Sequence, residues 1–152
     1  MEVENNQELL CIKGKNRNYA FDFSCVQEIC KGLEMSEIPC LPSLFAGVCN
    51  YKGEIVPVVY LEEGDGGAGD EMTLIFHYKE YYLGMLYQGK TFILPAENFT
   101  VIRQPEGELT GGIWAGRAML QAGGELYLQA DPEKTIQQLA DFFRVEFLRK
   151  TY

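Results

Sequence analysis

The chain has 152 residues, of which 23% are charged, and it carries a formal net charge of −9 with an isoelectric point near 4.6. This length suffices for one domain with a sizeable core, and we expect a complete small protein that contains no additional kinase or receiver module. The negative charge, without any local cluster of Lys and Arg, argues against nucleic-acid binding and against direct contact with an anionic membrane surface.

The N-terminal segment MEVENNQELL is acidic and lacks the positive and apolar regions of a signal peptide. No apolar run in the sequence approaches the roughly 20 residues that a membrane-spanning helix needs. We therefore expect a cytoplasmic protein that reaches a membrane only through a partner.

Turn residues separate apolar runs along the chain, a pattern that predicts four β-hairpins. They pair residues 8–13 with 18–23, 45–51 with 54–61, 72–78 with 81–88, and 113–120 with 125–130. Eight strands with short connections favour closed barrels over an open sheet, because closure removes exposed strand edges. The predicted fold class is mainly β.

All the cysteines lie in the first third of the chain. Their number is odd and no CxxC pair occurs, so they fit neither a disulfide framework nor a zinc site. Because the chain has a single histidine, we expect no metal site, no cofactor, and free thiols that fill the core. The five are Cys11, Cys25, Cys30, Cys40 and Cys49.

The second hairpin turns at Asn50-Tyr51-Lys52-Gly53. Gly53 can adopt the positive φ of a tight turn, so Lys52 should lie at or beside the tip. Pro57 in the following strand has no backbone N–H, which predicts a free edge or a bulge at that position. The hairpin contains no catalytic residue type, and we interpret it as a surface for docking.

Residues 62–71 are acidic and rich in glycine, and we expect them to form a flexible connection. The segment lacks the Gly-Lys-Ser/Thr of a phosphate-binding loop, and its carboxylates would repel phosphate. Glu62 and Glu63 lie in this segment, where nothing would hold them at the separation that acid and base catalysis requires.

A terminal helix is predicted over residues 131–149, because Asp131 can cap it and Pro132 suits its first position. An apolar stripe recurs at helical spacing, with two further apolar residues beside it. We expect most of the stripe to be core, with docking of a partner as the alternative. The stripe is Ile136, Leu139, Phe143 and Phe147, and the flanking residues are Phe142 and Leu148.

Catalytic motifs are not evident in the sequence. His77 lies between Phe76 and Tyr78 in an alternating strand, where a solvent-facing or satisfied histidine is the simpler interpretation than a general base. There is no dinucleotide fingerprint, no Walker motif and no HExxH. The prediction is that the protein is not an enzyme.

Residues 38–61 carry a recognisable signature: an Ile-Pro-x-x-Pro lead-in, then Gly-Val-x-Asn-x-x-Gly, then an apolar strand that contains proline. It resembles the CheW-like adaptor domain of bacterial chemotaxis, in which arginine usually stands where this chain has Lys52. Upstream, residues 19–22 and 26–29 look like the opening strand and short helical turn of that family. The matching residues are Ile38, Pro39, Pro42, Gly47, Val48, Asn50, Gly53, Ile55, Val56, Pro57, Val58 and Leu61.

The resemblance implies a single CheW-like domain over residues 1–152, built from two SH3-like five-stranded barrel subdomains and a C-terminal helix. The expected subdomains are residues 15–63 and residues 72–130, with the N-terminal strand also contributing to the second. Residues 62–71 would lie near the join between them.

The resemblance also implies a function without catalysis, which is to couple the cytoplasmic tip of a chemoreceptor to the regulatory domain of a CheA-type histidine kinase. Such an adaptor would be recruited to membrane receptor arrays by these partners. The expected partner-binding residues are Val26, Glu28, Gly47, Asn50, Lys52, Ile55, Val56 and Val58.

Each of these residues also has a purely structural interpretation. Val26 and Val56 can be core, Glu28 can cap a short helix, and Gly47 can permit close packing. Charged residues beside a hairpin are seldom needed for folding, so we favour function for Glu28 and Lys52 and a core role for the valines. Lysine keeps the charge of the arginine but loses its planar fork, so the receptor contact could be weaker or rewired.

The alternative hypothesis is a divergent CheW-like protein that senses a peptide or a small molecule outside chemotaxis. In that case Trp114 and several tyrosines would line a pocket between the barrels.

Overall fold

In this computed structural model the described residues are 7–39, 44–62, 70–103, 114 and 116–151, with side chains described as far as residue 141. They form eleven strands, one α-helix and short 3₁₀ turns at Phe23–Cys25 and Ala96–Asn98. The strands are β1 (Glu8–Lys13), β2 (Asn18–Asp22), β3 (Val26–Lys31), β4 (Phe45–Tyr51), β5 (Glu54–Tyr60), β6 (Met72–Tyr78), β7 (Tyr81–Tyr87), β8 (Lys90–Pro95), β9 (Thr100–Arg103), β10 (Gly116–Ala122) and β11 (Glu125–Ala130), and the helix is α1 (Pro132–Thr151).

The strands form two sheets. One has six strands in the order β8-β1-β2-β11-β10-β9, and the other has five in the order β3-β6-β7-β5-β4. Neighbouring strands are antiparallel except for β2 with β11 and β5 with β7, which are parallel. The four predicted hairpins are present. Of the strand predicted over 113–120, residues 116–120 belong to β10, and residues 113 and 115 lie outside the described residues.

The five-stranded sheet is rolled, because its two edge strands are linked. Beyond β3, Ser36 and Val48 of β4 exchange two backbone hydrogen bonds, with N to O distances of 2.8 and 2.9 Å. In the six-stranded sheet the edge strands β8 and β9 are consecutive in the chain and are joined by the short 3₁₀ turn. The mainly β fold with two subdomains and a C-terminal helix is therefore confirmed, with six strands rather than five in one sheet.

The two sheets do not follow the sequence ranges expected for the subdomains. Strands β6 and β7 lie beyond residue 72, yet they complete the sheet that contains β3, β4 and β5. Strand β2 lies in the other sheet, where residues 18–21 pair with residues 127–130 of β11. Because these pairings join segments far apart in the chain, the hairpin pattern alone did not indicate them.

Two local expectations were wrong or incomplete. Residues 26–29, expected as a helical turn, begin strand β3, which pairs with β6, and the 3₁₀ turn lies just before it. Strands β8 and β9 were not predicted. All three are edge strands with largely exposed side chains, so their sequences lack the regular apolar alternation of a strand with one buried face.

The largest hydrophobic cluster is shared by the two sheets and the helix. It contains Phe21 of β2, Phe76 of β6 and the fully buried Trp114, whose ring centroid lies 5.3 Å from that of Phe21 and 5.6 Å from that of Phe76. Ile136 and Leu139 of α1 complete it, which confirms a core role for this part of the helical stripe. The apolar side chains predicted at 142, 143, 147 and 148 lie outside the described residues.

The helix begins as its sequence predicts. The carboxylate of Asp131 accepts a hydrogen bond from the backbone N–H of Lys134 at 3.0 Å, which is an N-cap contact. The guanidinium of Arg117 lies 3.4 Å from the other oxygen of Asp131 and also bonds Asp22 at 2.8 Å. The start of the helix is thereby tied to β10 and β2.

Glu62, placed by the prediction in a flexible connection, is held in the structure. Its side chain is buried and accepts hydrogen bonds from the backbone of Lys15 at 2.7 Å, from the backbone of Asn16 at 3.1 Å and from the hydroxyl of Tyr19 at 3.1 Å. These donors belong to the turn between β1 and β2 and to β2 itself. Residues 63–69 of the predicted connection lie outside the described residues.

Within the described part of the chain, Cys11, Cys25, Cys30 and Cys49 are free thiols, as expected. Cys40 and Pro42 lie outside it. Among the described residues, no group of His, Cys, Asp and Glu side chains could hold a metal ion. The same residues contain no helix with the length and apolar character needed to cross a membrane.

Candidate partner-binding surface

The turn between β4 and β5 presents Lys52 at its tip, as the sequence predicts. Lys52 has φ 51° and Gly53 has φ 87°, so both central residues adopt the positive φ that two-residue hairpin turns of type I′ require. The Oδ1 of Asn50 accepts a hydrogen bond of 3.0 Å from the N–H of Gly53. Asn50 therefore stabilises the turn, and its own side chain remains exposed.

Glu28 on β3 and Lys52 come together across the rolled sheet. Their carboxylate Oε1 and ammonium Nζ are 3.7 Å apart. Between them lies Tyr51, whose hydroxyl donates a hydrogen bond of 2.6 Å to the same oxygen of Glu28 and whose ring centroid lies 5.3 Å from the Lys52 ammonium. The strands that carry Glu28 and Tyr51 are opposite edges of the five-stranded sheet, so only its closure brings these groups together.

This contact shifts the pKa of all three groups. The hydrogen bond from Tyr51, assisted by the charge of Lys52, lowers the pKa of the Glu28 carboxyl below its ordinary value. The same hydrogen bond raises the pKa of Tyr51, because the hydroxyl keeps its proton to donate it to a carboxylate. The pKa of Lys52 is raised by Tyr51 and by the charge of Glu28. Glu28 and Lys52 are therefore both ionised at neutral pH.

Further aromatic rings extend this cluster across the sheet. The ring of Tyr82 on β7 lies 5.8 Å from that of Tyr51 and also stacks with the imidazole of His77 on β6 at a centroid distance of 4.5 Å. His77 is exposed, as expected for a histidine on the solvent face of its strand.

Ile55 is the most exposed large apolar residue on this hairpin, with 68% of its surface accessible. It borders a groove of about 290 Å³ between the start of β5, the start of β7 and helix α1. The groove forms where β5 leaves β7, because β5 pairs with β7 only from Val58 onward. Pro57 thus has a free side, as its missing N–H predicts.

Two of the predicted partner-binding residues are not available for direct contact, and a third is half-buried. Val56 and Val58 are fully buried in the core of the five-stranded sheet, because the inward face of β5 alternates with its outward face. Val26 is half-buried against the shared core. The assignment of Val56 and Val58 to a contact surface is therefore corrected to a packing role.

Gly47 is also buried and serves close packing. Its φ is 142°, and a Cβ at this position would lie only 2.4 Å from the carbonyl oxygen of Ser36. This close approach is the point at which the segment after β3 bonds to β4. Gly47 therefore closes the sheet, and it contributes to the surface only by keeping Glu28 and Lys52 within reach of each other.

The described surface thus places two opposite charges near the tip of the hairpin, and it exposes the apolar side chain of Ile55 on the outward face of β5. Of the predicted site residues, Glu28, Asn50, Lys52 and Ile55 are exposed. The sequence analysis did not assign Tyr51 to the site. Its position next to Lys52, in a strand whose residues alternate between buried and exposed, could have indicated that its ring points inward at the edge of the site. A surface of this kind suits recognition of another protein through charge and apolar contact.

Comparison with known proteins identifies the family. The family model of the CheW-like domain matches residues 8–138. The fold is similar to that in the crystal structure of the scaffolding protein TtCheW from Thermoanaerobacter tengcongensis, with a TM-score of 0.68 and 16% sequence identity over 83% of this chain and 89% of that one. No curated protein sequence matches. Because the family model matches most of the sequence, this chain belongs to the CheW-like domain family.

Proposed function

We propose that the protein is a non-enzymatic adaptor that couples chemoreceptors to a CheA-type histidine kinase. Membership of the CheW-like family and the similarity to a scaffolding protein support this function. In this proposal the protein acts in the cytoplasm and joins membrane receptor arrays through its partners. Its role is assembly and conformational coupling, without a reaction of its own.

The observation that carries the proposal is the exposed pair of Glu28 and Lys52. Two charged side chains from distant segments meet at 3.7 Å, yet 70% of the Lys52 side chain and 45% of the Glu28 side chain remain accessible to solvent. An exposed ion pair contributes little to folding, whereas exposed charges of both signs can orient an approaching partner. The exposed Ile55, on the outward face of the hairpin that carries Lys52, supplies a separate apolar contact area.

The test is calorimetric binding of the purified protein to a kinase regulatory domain and, separately, to a receptor-tip fragment from the same organism. Lys52→Glu is compared with Lys13→Glu as a matched control. Lys13 on β1 is also an exposed lysine paired with a glutamate, Glu125, at 2.7 Å, and its ammonium lies 5.9 Å from the ring of Phe92. The control therefore makes the same change of charge and breaks the same kind of contact on the other sheet.

We expect the wild type to bind at least one partner with micromolar or tighter affinity. Lys52→Glu should weaken binding on the order of tenfold, because it replaces a cation by an anion at the contact, while Lys13→Glu should bind as the wild type does. Failure of the folded wild type to bind either partner would refute the proposal. Equal losses of affinity in Lys52→Glu and Lys13→Glu would show that Lys52 is not part of the binding site.

The alternative of a peptide or small-molecule sensor loses one of its motivations in the structure. Trp114, expected to line a pocket between the barrels, has no accessible surface and is enclosed by Phe21 and Phe76. Its ring is therefore part of the shared core. This burial favours the adaptor over the sensor.

A further inference from the structure

The hydrogen bond between Tyr51 and Glu28 is short and joins two edges of a sheet. At 2.6 Å, the contact from the phenol to the carboxylate Oε1 has the length of a charge-assisted hydrogen bond. Such a bond fixes the direction of the carboxylate, which would otherwise rotate freely on an exposed strand. Tyr51 and Lys52 both contact Oε1, and 45% of the Glu28 side chain remains accessible to a cation from a partner.

The donor itself is held rigidly. The ring of Tyr51 is 5% exposed and packs in the core cluster of the five-stranded sheet with Val56 and Ile75. Its ring centroid also lies 5.8 Å from that of Tyr82. A group oriented by a buried ring loses little conformational freedom when a partner binds, which is the basis of preorganisation.

Lys52 is held much more loosely than Tyr51. Its ammonium is farther from Glu28, at 3.7 Å, and most of its side chain is accessible. A partner carboxylate can therefore draw Lys52 away from Glu28 while the hydroxyl of Tyr51 keeps Glu28 in place. The two neighbouring residues thus have different roles: Tyr51 orients the Glu28 carboxylate, and Lys52 provides a mobile cation.

We propose that Tyr51 is a positioning residue, whose hydroxyl holds the Glu28 carboxylate so that Glu28 and Lys52 together bind a complementary cation and anion on the surface of a protein partner. This inference rests on the proposed adaptor function, because it names the chemistry of the partner at the same surface. The partner should carry a Lys or Arg that reaches Glu28 and an Asp or Glu that reaches Lys52.

The test uses Tyr51→Phe, which removes the hydroxyl and keeps the ring, with Tyr87→Phe as the matched control. Tyr87 also makes one hydroxyl contact, with Thr91 Oγ1 at 3.0 Å, and its ring is also buried. Two quantities are measured: affinity for whichever partner the wild type binds, and the pKa of Glu28 by NMR titration of its carboxyl carbon. The titratable groups that face Glu28 are Tyr51, Lys52 and Cys30.

In Tyr51→Phe the Glu28 pKa should rise toward its ordinary value, because the hydrogen bond from Tyr51 is the main cause of its lowering. Affinity should fall on the order of three- to tenfold, as expected for loss of one hydrogen bond to a charged group. In Tyr87→Phe neither the Glu28 pKa nor the affinity should change. A loss of stability alone would move neither quantity in the folded protein.

Several outcomes would overturn the inference. An unchanged Glu28 pKa in Tyr51→Phe would show that the hydroxyl does not hold the carboxylate. A raised pKa with wild-type affinity would leave the adaptor function intact and remove the positioning role. If the wild type binds neither partner, the adaptor function and the positioning role both fail, and the titration then still decides whether the hydroxyl holds Glu28.

Discussion

Gly47 belongs to the family signature, yet its place in the structure is explained by packing rather than by exposure. The residue lies where β4 receives the backbone of Ser36, and the space for a side chain is occupied by a carbonyl oxygen. A signature position can therefore serve the binding surface indirectly. Here it allows the sheet to close, and closure brings Glu28 to Lys52.

Replacing Gly47 by alanine should lower the free energy of unfolding by about 2–3 kcal/mol, because it adds a backbone clash to the strain of a positive φ. Gly53→Ala is the matched control, since its φ is 87° but no atom lies within 4 Å of the added Cβ. The control should lose only about 1 kcal/mol. Urea denaturation measures both, and equal losses would contradict the packing role of Gly47.

Glu62 is a second residue whose role is decided by its contacts rather than by its neighbours in sequence. In Glu62→Gln an amide N–H₂ replaces one acceptor oxygen, and the hydrogen bonds from Lys15, Asn16 and Tyr19 lose their charged acceptor. We expect a loss of about 1–3 kcal/mol in urea denaturation. The exposed Glu54→Gln should change the stability by less than about 0.5 kcal/mol. A neutral effect of Glu62→Gln would contradict a stabilising role for these hydrogen bonds.

At the scale of elements, the hairpins could be predicted because their turn chemistry is local. The tip at Lys52-Gly53 and the start of the helix at Asp131 depend on a few adjacent residues, and both were found as predicted. The edge strands β3, β8 and β9 could not be predicted in this way, because they are recognised only by their pairing with β6, β1 and β10. For the same reason Glu28 and Lys52 were predicted separately, whereas their contact and the part played by Tyr51 depend on closure of the sheet.

The start of α1 combines a cap with an ion pair, and two substitutions can separate them. Asp131→Asn keeps an N-cap oxygen for Lys134 but loses the charge that faces Arg117, whereas Asp131→Ala loses both. We expect Asp131→Ala to lower the free energy of unfolding by about 1 kcal/mol or somewhat more, and Asp131→Asn by less than half of that. Thermal and urea unfolding followed by circular dichroism measures the difference. If the two variants lose the same stability, the ion pair rather than the cap dominates.

At the scale of the whole molecule, the five-stranded sheet is built from consecutive strands, whereas the six-stranded sheet combines strands from both ends of the chain. The five-stranded sheet interrupts the six-stranded one between β2 and β8, and side chains from both enclose Trp114. Separating the sheets would expose the largest apolar cluster to water. The two subdomains should therefore unfold together, although each also has a smaller core of its own.

Two buried cysteines report on this cooperativity, because each lies in the smaller core of a different sheet. Cys11 belongs to the six-stranded sheet, where burial raises its pKa to about 11, and Cys49 belongs to the five-stranded sheet, where burial also raises the pKa. Both thiols should resist alkylation until the chain opens. The labelling of each cysteine is measured by mass spectrometry at increasing urea concentrations. Dividing each labelling rate by the rate for the same cysteine in the unfolded chain gives a free energy of opening for each site. We expect equal values that match global unfolding, since opening either sheet exposes the shared core. A value for Cys49 lower by more than about 1 kcal/mol would mean that the sheet carrying Glu28 and Lys52 opens alone, and partner binding would then stabilise Cys49 without protecting Cys11.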